Sequence, residues 1–138
     1  MTFEESLVAD LLNISALTSI VGGRVYESMI PQNGTIPAVV YSTTQEESPV
    51  HLTGRGHIVA ESVTLDLVAA DKATLRTMME AVTARYLRTL FQGVLGGGVY
   101  VGETILDSVE YNLQRLADGT DKPVRVASIS LIMRYART

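Results

Sequence analysis

The stretch Ile58-Val59-Ala60-Glu61-Ser62-Val63-Thr64-Leu65-Asp66-Leu67-Val68-Ala69 decides the fold of this chain. Val59, Val63, Leu65 and Leu67 fall on one face; Ser62, Thr64 and Asp66 fall on the other. Such alternation marks a half-buried antiparallel strand, apolar toward a core and polar toward solvent. The period then changes. Asp71 is placed to cap a helix, and Leu75, Met78, Met79, Val82, Tyr86, Leu87, Leu90 and Phe91 recur at helical spacing, with Gly93 as the stop. A strand that must hide one face, followed by a helix that must hide one stripe, predicts helix-on-sheet packing.

Toward the C-terminus, Ile105–Leu116 and Val124–Tyr135 read as two more strands joined by the turn Ala117-Asp118-Gly119-Thr120-Asp121-Lys122-Pro123. The last sets Ile129, Leu131, Met133 and Tyr135 against Ser128 and Ser130. Toward the N-terminus, Thr2-Phe3-Glu4-Glu5 is a capping box, and Phe3, Leu7, Val8, Leu11 and Leu12 form one apolar stripe. Ser15 is placed to cap a second short turn through Ile20, which Gly22-Gly23 ends. Arg24-Val25-Tyr26 is short and extended, Pro31 and Pro37 bracket a turn, and Ala38–Gln45 is a strand. The order α, β, β, α, β, β predicts an α+β fold in a single domain spanning residues 1–138. Its four-stranded, mainly antiparallel sheet is packed by two helices, with a long loop or hairpin extension between the first two strands. Val63, Leu65, Leu67, Leu75, Val82, Ile129 and Leu131 are the expected core.

With 138 residues the chain is long enough to bury one core. Hydrophobic residues make up 46% and charged residues 19%, so part of the surface is expected to be covered by copies or partners. The net charge of -4, with eleven scattered Lys and Arg, argues against gripping nucleic acid, which needs clustered cations. Cysteine is absent, which excludes disulfides and thiolate metal sites. The acidic opening Met1-Thr2-Phe3-Glu4-Glu5 is unlike a signal peptide, and no apolar run is long enough for a membrane helix, so a soluble protein made in a cytoplasm is expected.

No residue pattern announces catalysis. His51 and His57, with Glu46 and Glu47 nearby, match no metal spacing and sit on a polar loop. Gly93-Val94-Leu95-Gly96-Gly97-Gly98 lacks the Lys-Ser/Thr ending of a phosphate loop and follows a helix, so it reads as a cap and flexible turn. No nucleophile elbow exists, and the paired acids Glu46-Glu47 and Glu103/Asp107 read as solvated. No catalytic residue, cofactor or metal is predicted. Met78-Met79 reads as core, with a partner groove as the functional alternative. The twelve residues Glu46–His57 are long for a connection. Within them Arg55, between Gly54 and Gly56, combines a contact-prone side chain with close backbone approach. Glu46, Glu47, His51, Arg55 and His57 are therefore the candidate interaction residues.

The succession Gly22-Gly23-Arg24-Val25-Tyr26, the Pro31–Thr35 turn, the Ile36-Pro37-Ala38-Val39-Val40-Tyr41 strand and the closing Met133-Arg134-Tyr135 resembles the tail completion (tail-to-head joining, tail terminator) proteins of long-tailed bacteriophages. The resemblance implies a virion protein without enzymatic activity, assembled in the host cytoplasm. It implies a homohexameric ring on the head-proximal end of the tail tube, touching the tube protein below and the head–tail connector above. DNA would pass through the lumen without specific binding, and no membrane is involved. Two readings from other classes stand beside it. A ferredoxin-like ligand-binding or regulatory domain would show a concave pocket, and an enzyme would show a buried polar constellation.

Overall fold

The structure, a computed structural model, describes residues 2–30, 35–46, 57–87, 91–115 and 123–137. Its elements run α1 (Phe3–Leu12), α2 (Ser15–Val21), β1 (Val25–Glu27), β2 (Ala38–Glu46), β3 (His57–Ala69), α3 (Lys72–Tyr86), β4 (Gly93–Val94), β5 (Tyr100–Arg115) and β6 (Pro123–Arg137). The six strands form one mixed sheet, curled into a half-barrel, in the order β1-β2-β3-β6-β5-β4. Only β1 and β2 run parallel.

The alternating stretch behaves as its pattern dictates. Val59, Val63, Leu65 and Leu67 are buried and Ser62, Thr64 and Asp66 are half-exposed. Leu65 lies between Tyr41 of β2 and Ile129 of β6, which puts three apolar side chains on the helix-covered face. The three helices lie over that face, and Leu7, Leu11, Leu17, Val21, Met78, Val82 and Tyr86 complete the core with Val39, Val63, Leu65, Leu67, Ile129 and Leu131. Leu75 is buried as well. A smaller cluster on the opposite face, Val40, Val68, Val124 and Val126, is covered by Ile30 and Ile36.

Two of the three predicted N-caps form, those at Thr2 and Asp71. The Thr2 hydroxyl accepts from Glu5 N at 3.2 Å while the Glu5 carboxylate accepts from Thr2 N, and the Asp71 carboxylate accepts from Thr74 N at 3.3 Å. These bonds satisfy helix amides that have no intrahelical partner.

Among the described residues the sheet has six strands, not four, and three helices pack on it, not two. The additions are all short. β1 has three residues and β4 two, too few for alternation to show, and each is a strand only because a neighbour offers a ladder. The turn through Ile20 is a full helix. Ser15 does not cap it; Ile14 stands at the N-cap with no side-chain bond, and Gly22 ends it at φ +61°. The α3 stripe also stops earlier than its apolar pattern suggests. The helix ends at Tyr86, Phe91 folds back with its N–H donating to Tyr86 O, and Gly93 enters β4 instead of closing the helix. β5 begins at Tyr100, five residues before its expected start, because bulges at Gly102 and Asp107 break the period.

Candidate assembly surface

Asp10 on α1 is 3% exposed, and its carboxylate accepts four hydrogen bonds. Arg85 donates through Nε at 3.1 Å and Nη2 at 2.6 Å, the Tyr86 hydroxyl donates at 2.5 Å, and Gly96 N donates at 3.1 Å. One carboxylate thus joins α1, the end of α3 and the turn before β5. The arrangement is cheap in sequence terms, because Arg85 and Tyr86 are adjacent and Asp10 lies on the buried stripe of α1. The Arg85 guanidinium also lies over the Phe91 ring at 4.4 Å, and Phe91 meets Tyr86 edge-on. Burial pushes the Tyr86 phenol well above its ordinary value, with the Asp10 charge adding to it. The bond to Asp10 raises Arg85 further.

Gly96 is required at this joint. Its φ is +51°, and a Cβ there would sit 2.7 Å from Ala9 Cβ and from Ser6 O. The neighbouring Val99 N donates to Ser6 Oγ at 3.1 Å, so α1 reads the whole turn with two polar side chains. Beside it lies an open groove of about 600 Å³, lined by Asn13, Ile14, Ala81, Ala84 and Gly97 with the edge of the Asp10–Arg85 pair. The Asp10 carboxylate is fully engaged within the molecule, and Arg85 spends its Nε and Nη2 on it. Among the described residues no three His, Asp or Glu side chains converge as a metal site would require.

The other conspicuous region is uncovered. β5 is flanked by β6 on one side, while β4 pairs only with Tyr100 and Val101 on the other. From Leu106 onward the helices no longer lie over β5. Leu106, Val109 and Tyr111 pair with Leu131, Ile129 and Ala127, which places them on the helix-side face, yet they are 44%, 37% and 67% exposed. The same strand carries Glu103, Asp107 and Glu110, and no Lys or Arg occurs between residues 100 and 111. Arg134 of β6 answers Glu103 at 2.7 Å.

Of the candidate interaction residues, Glu47, His51 and Arg55 lie outside the described residues, as do Gly54 and Gly56. Glu46 closes β2 and His57 opens β3, so these two are the last strand residues on either side of the loop, and their side chains are not described. The β5 stripe was within reach of the sequence, since Val109 and Tyr111 alternate with Ser108 and Glu110. What alternation cannot show is that no helix covers it.

A chain in the virion of a native gene transfer agent particle shares this fold, with a TM-score of 0.54 and 18% identity over 97% of this chain and 91% of that one. No curated protein matches the chain. The profile of the tail completion protein gp17 family matches residues 5–88, from α1 past the end of α3, which is more than half of the chain. Spanning most of α1, the Arg-Val-Tyr element, the alternating strand and α3, that match shows that the chain belongs to the tail completion family and is a structural component of a phage-type virion tail.

Proposed function

We propose that this chain is a non-catalytic ring subunit that closes the head-proximal end of a tail and gives the head connector a face to dock on. The carrying observation is the uncovered apolar stripe Leu106–Val109–Tyr111 on a strand paired with β6 but nearly unpaired along its outer edge, in a member of a tail completion family. A face of that kind is a liability in a free subunit and an asset in an assembly. The charge balance fits a ring that DNA traverses, because a chain of net charge -4 with dispersed cations does not hold phosphates. The loop between Glu46 and His57 serves this reading as a second contact, with Arg55 as its anchor toward a neighbour, the tube or the connector.

Particles made without the protein should accumulate full heads and tails that fail to join, or tails of uncontrolled length. Normal infectious particles in its absence overturn the proposal. Imaging of complete particles is expected to show the chain as a ring, with six copies, at one end of the tail tube.

A further inference from the structure

Both ends of the sheet are stepped. At one end, β4 covers the outer side of β5 at Tyr100 and Val101 alone. From Glu103 to Arg115 that side carries no described strand, an open edge roughly 40 Å long at ~3.3 Å per residue. At the other end, β1 covers the outer side of β2 only from Val39 to Tyr41, and β1 itself has no described strand beyond it. An open edge turns the N–H and C=O of every second residue outward, a template for one more strand.

The ladder fixes which groups these are. Val39 N donates to Arg24 O at 3.0 Å and Ser28 N donates to Tyr41 O at 2.8 Å, so Tyr26 between them turns its backbone groups toward β2. Val25 and Glu27 turn theirs outward. Gly23 O accepts from Val25 N at 2.9 Å and Glu27 O accepts from Met29 N at 2.7 Å, which leaves Val25 O and Glu27 N–H free among the described residues. The alternation carries across the sheet unbroken, because β2 with β3 and β3 with β6 pair residue for residue and the bulges of β5 precede Ser108. It turns the backbone of Val40 toward β3, of Leu67 toward β6 and of Glu110 toward β6, and therefore those of Val109 and Tyr111 outward.

The same registers put Tyr26, Val40, Asp66, Ser128 and Glu110 on one rung. Within the sheet β1 runs opposite to β5, so a sheet that continues into a second copy joins the two strands antiparallel. When β1 of that copy lies beside β5 on the shared rung, Tyr111 N–H donates to Val25 O and Glu27 N–H donates to Val109 O. Both free groups of β1 find partners. Side chains keep their faces, with Val25 beside Tyr111 on the helix-covered side and Tyr26 beside Glu110 on the other. The steps do not collide either, since β4 stands opposite Tyr100 and Val101 while the incoming β1 stands opposite Val109 to Tyr111. A two-fold pairing of β5 with its own copy would leave Val25 O and Glu27 N–H unpaired.

We propose that copies of this chain join head to tail by strand addition, β1 of one copy extending the sheet of the next along the outer edge of β5, with Tyr26 opposite Glu110. A heterologous contact of this kind is what a closed ring requires. The proposal rests on the ring reading above and names the strands through which its subunits meet.

The absence of native cysteine makes the test direct. Tyr26 and Glu110 would form a pair that exchanges no hydrogen bonds, the closest kind across antiparallel strands. Purified particles of full-length chain carrying both Tyr26→Cys and Glu110→Cys should give, on mild oxidation, a covalent ladder that ends in a closed ring. Moving one cysteine two residues out of register, as Tyr26→Cys with Ser108→Cys, should leave at least tenfold less product, and so should either cysteine of the matched pair alone. Independently, Tyr111→Pro deletes an N–H that the free subunit does not use, a position where an edge strand accepts proline. It should raise the concentration needed for half-assembly at least tenfold above that of Tyr111→Ser; equal assembly of the two variants counts against the contact. A covalent dimer from Glu110→Cys alone means that β5 pairs with its own copy, and the proposal fails. If particles show a ring of this chain yet the matched cysteines form no ladder, the contact is wrong and the ring stands. If particles carry the chain singly, the ring reading fails and takes this contact with it.

Discussion

The joint around Asp10 and the outer half of β5 are built from opposite materials. The joint is polar and closed around a buried carboxylate, which accepts from Arg85, Tyr86 and Gly96 while the guanidinium rests on Phe91. The β5 face is apolar and left to solvent. A buried constellation of Asp, Arg and Tyr is the kind of feature usually taken for an active site. Here the carboxylate accepts from Arg85, Tyr86 and Gly96 of its own chain and holds α1, α3 and the turn into β5 in one arrangement. The region with capacity to spare is the plain one, Leu106, Val109 and Tyr111. On the proposed reading, uncovered apolar surface marks function better than charged surface does.

The sharpest way to break that contrast is to empty the joint. Asp10→Ala leaves the Tyr86 hydroxyl buried without an acceptor and removes the partner of Arg85, which is partly exposed and can turn to water. We expect a loss of about 3 kcal/mol by denaturant titration, less than for a fully buried ion pair. A loss below ~1 kcal/mol would mean the joint is decoration. Gly96→Ala should come next at about 2 kcal/mol, because its Cβ collides with Ala9 and the α1 backbone at positive φ.

The joint also predicts an alkaline limit. The Tyr86 phenol is held neutral in the folded chain, above the ordinary value of about 10 that it takes when unfolded. Once pH passes that ordinary value, the unfolded chain releases the proton and the folded chain does not, so stability falls until the folded phenol also ionises. Tyr41, raised by burial and then by Glu27 and Glu4, acts in the same direction. Tyr86→Phe should flatten part of the decline in unfolding free energy between about pH 9 and about 11. An unchanged slope would assign the effect elsewhere.

How much of this was legible in the sequence follows from how local each cause is. The caps at Thr2 and Asp71 and the two-residue period of β3 need only neighbours along the chain, and all of them stand in the structure. The additional strands were not legible, because Val25–Glu27 and Gly93–Val94 owe their state to β2 and β5, remote ladders that leave no period in three residues or two. The end of α3 was misplaced for a related reason. Phe91 continues the apolar spacing, but it folds back into the Asp10 joint, and that joint links residues 75 or more positions apart. Glycines 93, 96 and 97 were read as a stop and a flexible turn. Gly96 is instead a fixed point, since α1 leaves no room for a side chain. As for the site, the loop between Glu46 and His57 was singled out for its polarity and length, whereas the stripe on β5 escaped because its exposure depends on where three helices stop.

The smallest effect is the one that separates the two regions. Tyr111 is 67% exposed, so truncating it removes little apolar area from the interior of its own subunit. In dilute monomer, Tyr111→Ser should change the unfolding free energy by no more than about 0.5 kcal/mol, the ordinary range for surface positions. Asp10→Ala should show the reverse pattern, a clear loss of stability in the monomer and no direct defect at the subunit contact once the chain is folded. Measuring denaturant midpoints and ring formation on both variants tests the distinction twice. If Tyr111→Ser destabilises the monomer as much as Asp10→Ala does, then the tyrosine is packed within its own subunit in solution. The uncovered face would not exist there, and the comparison between a closed joint and an open edge would fail.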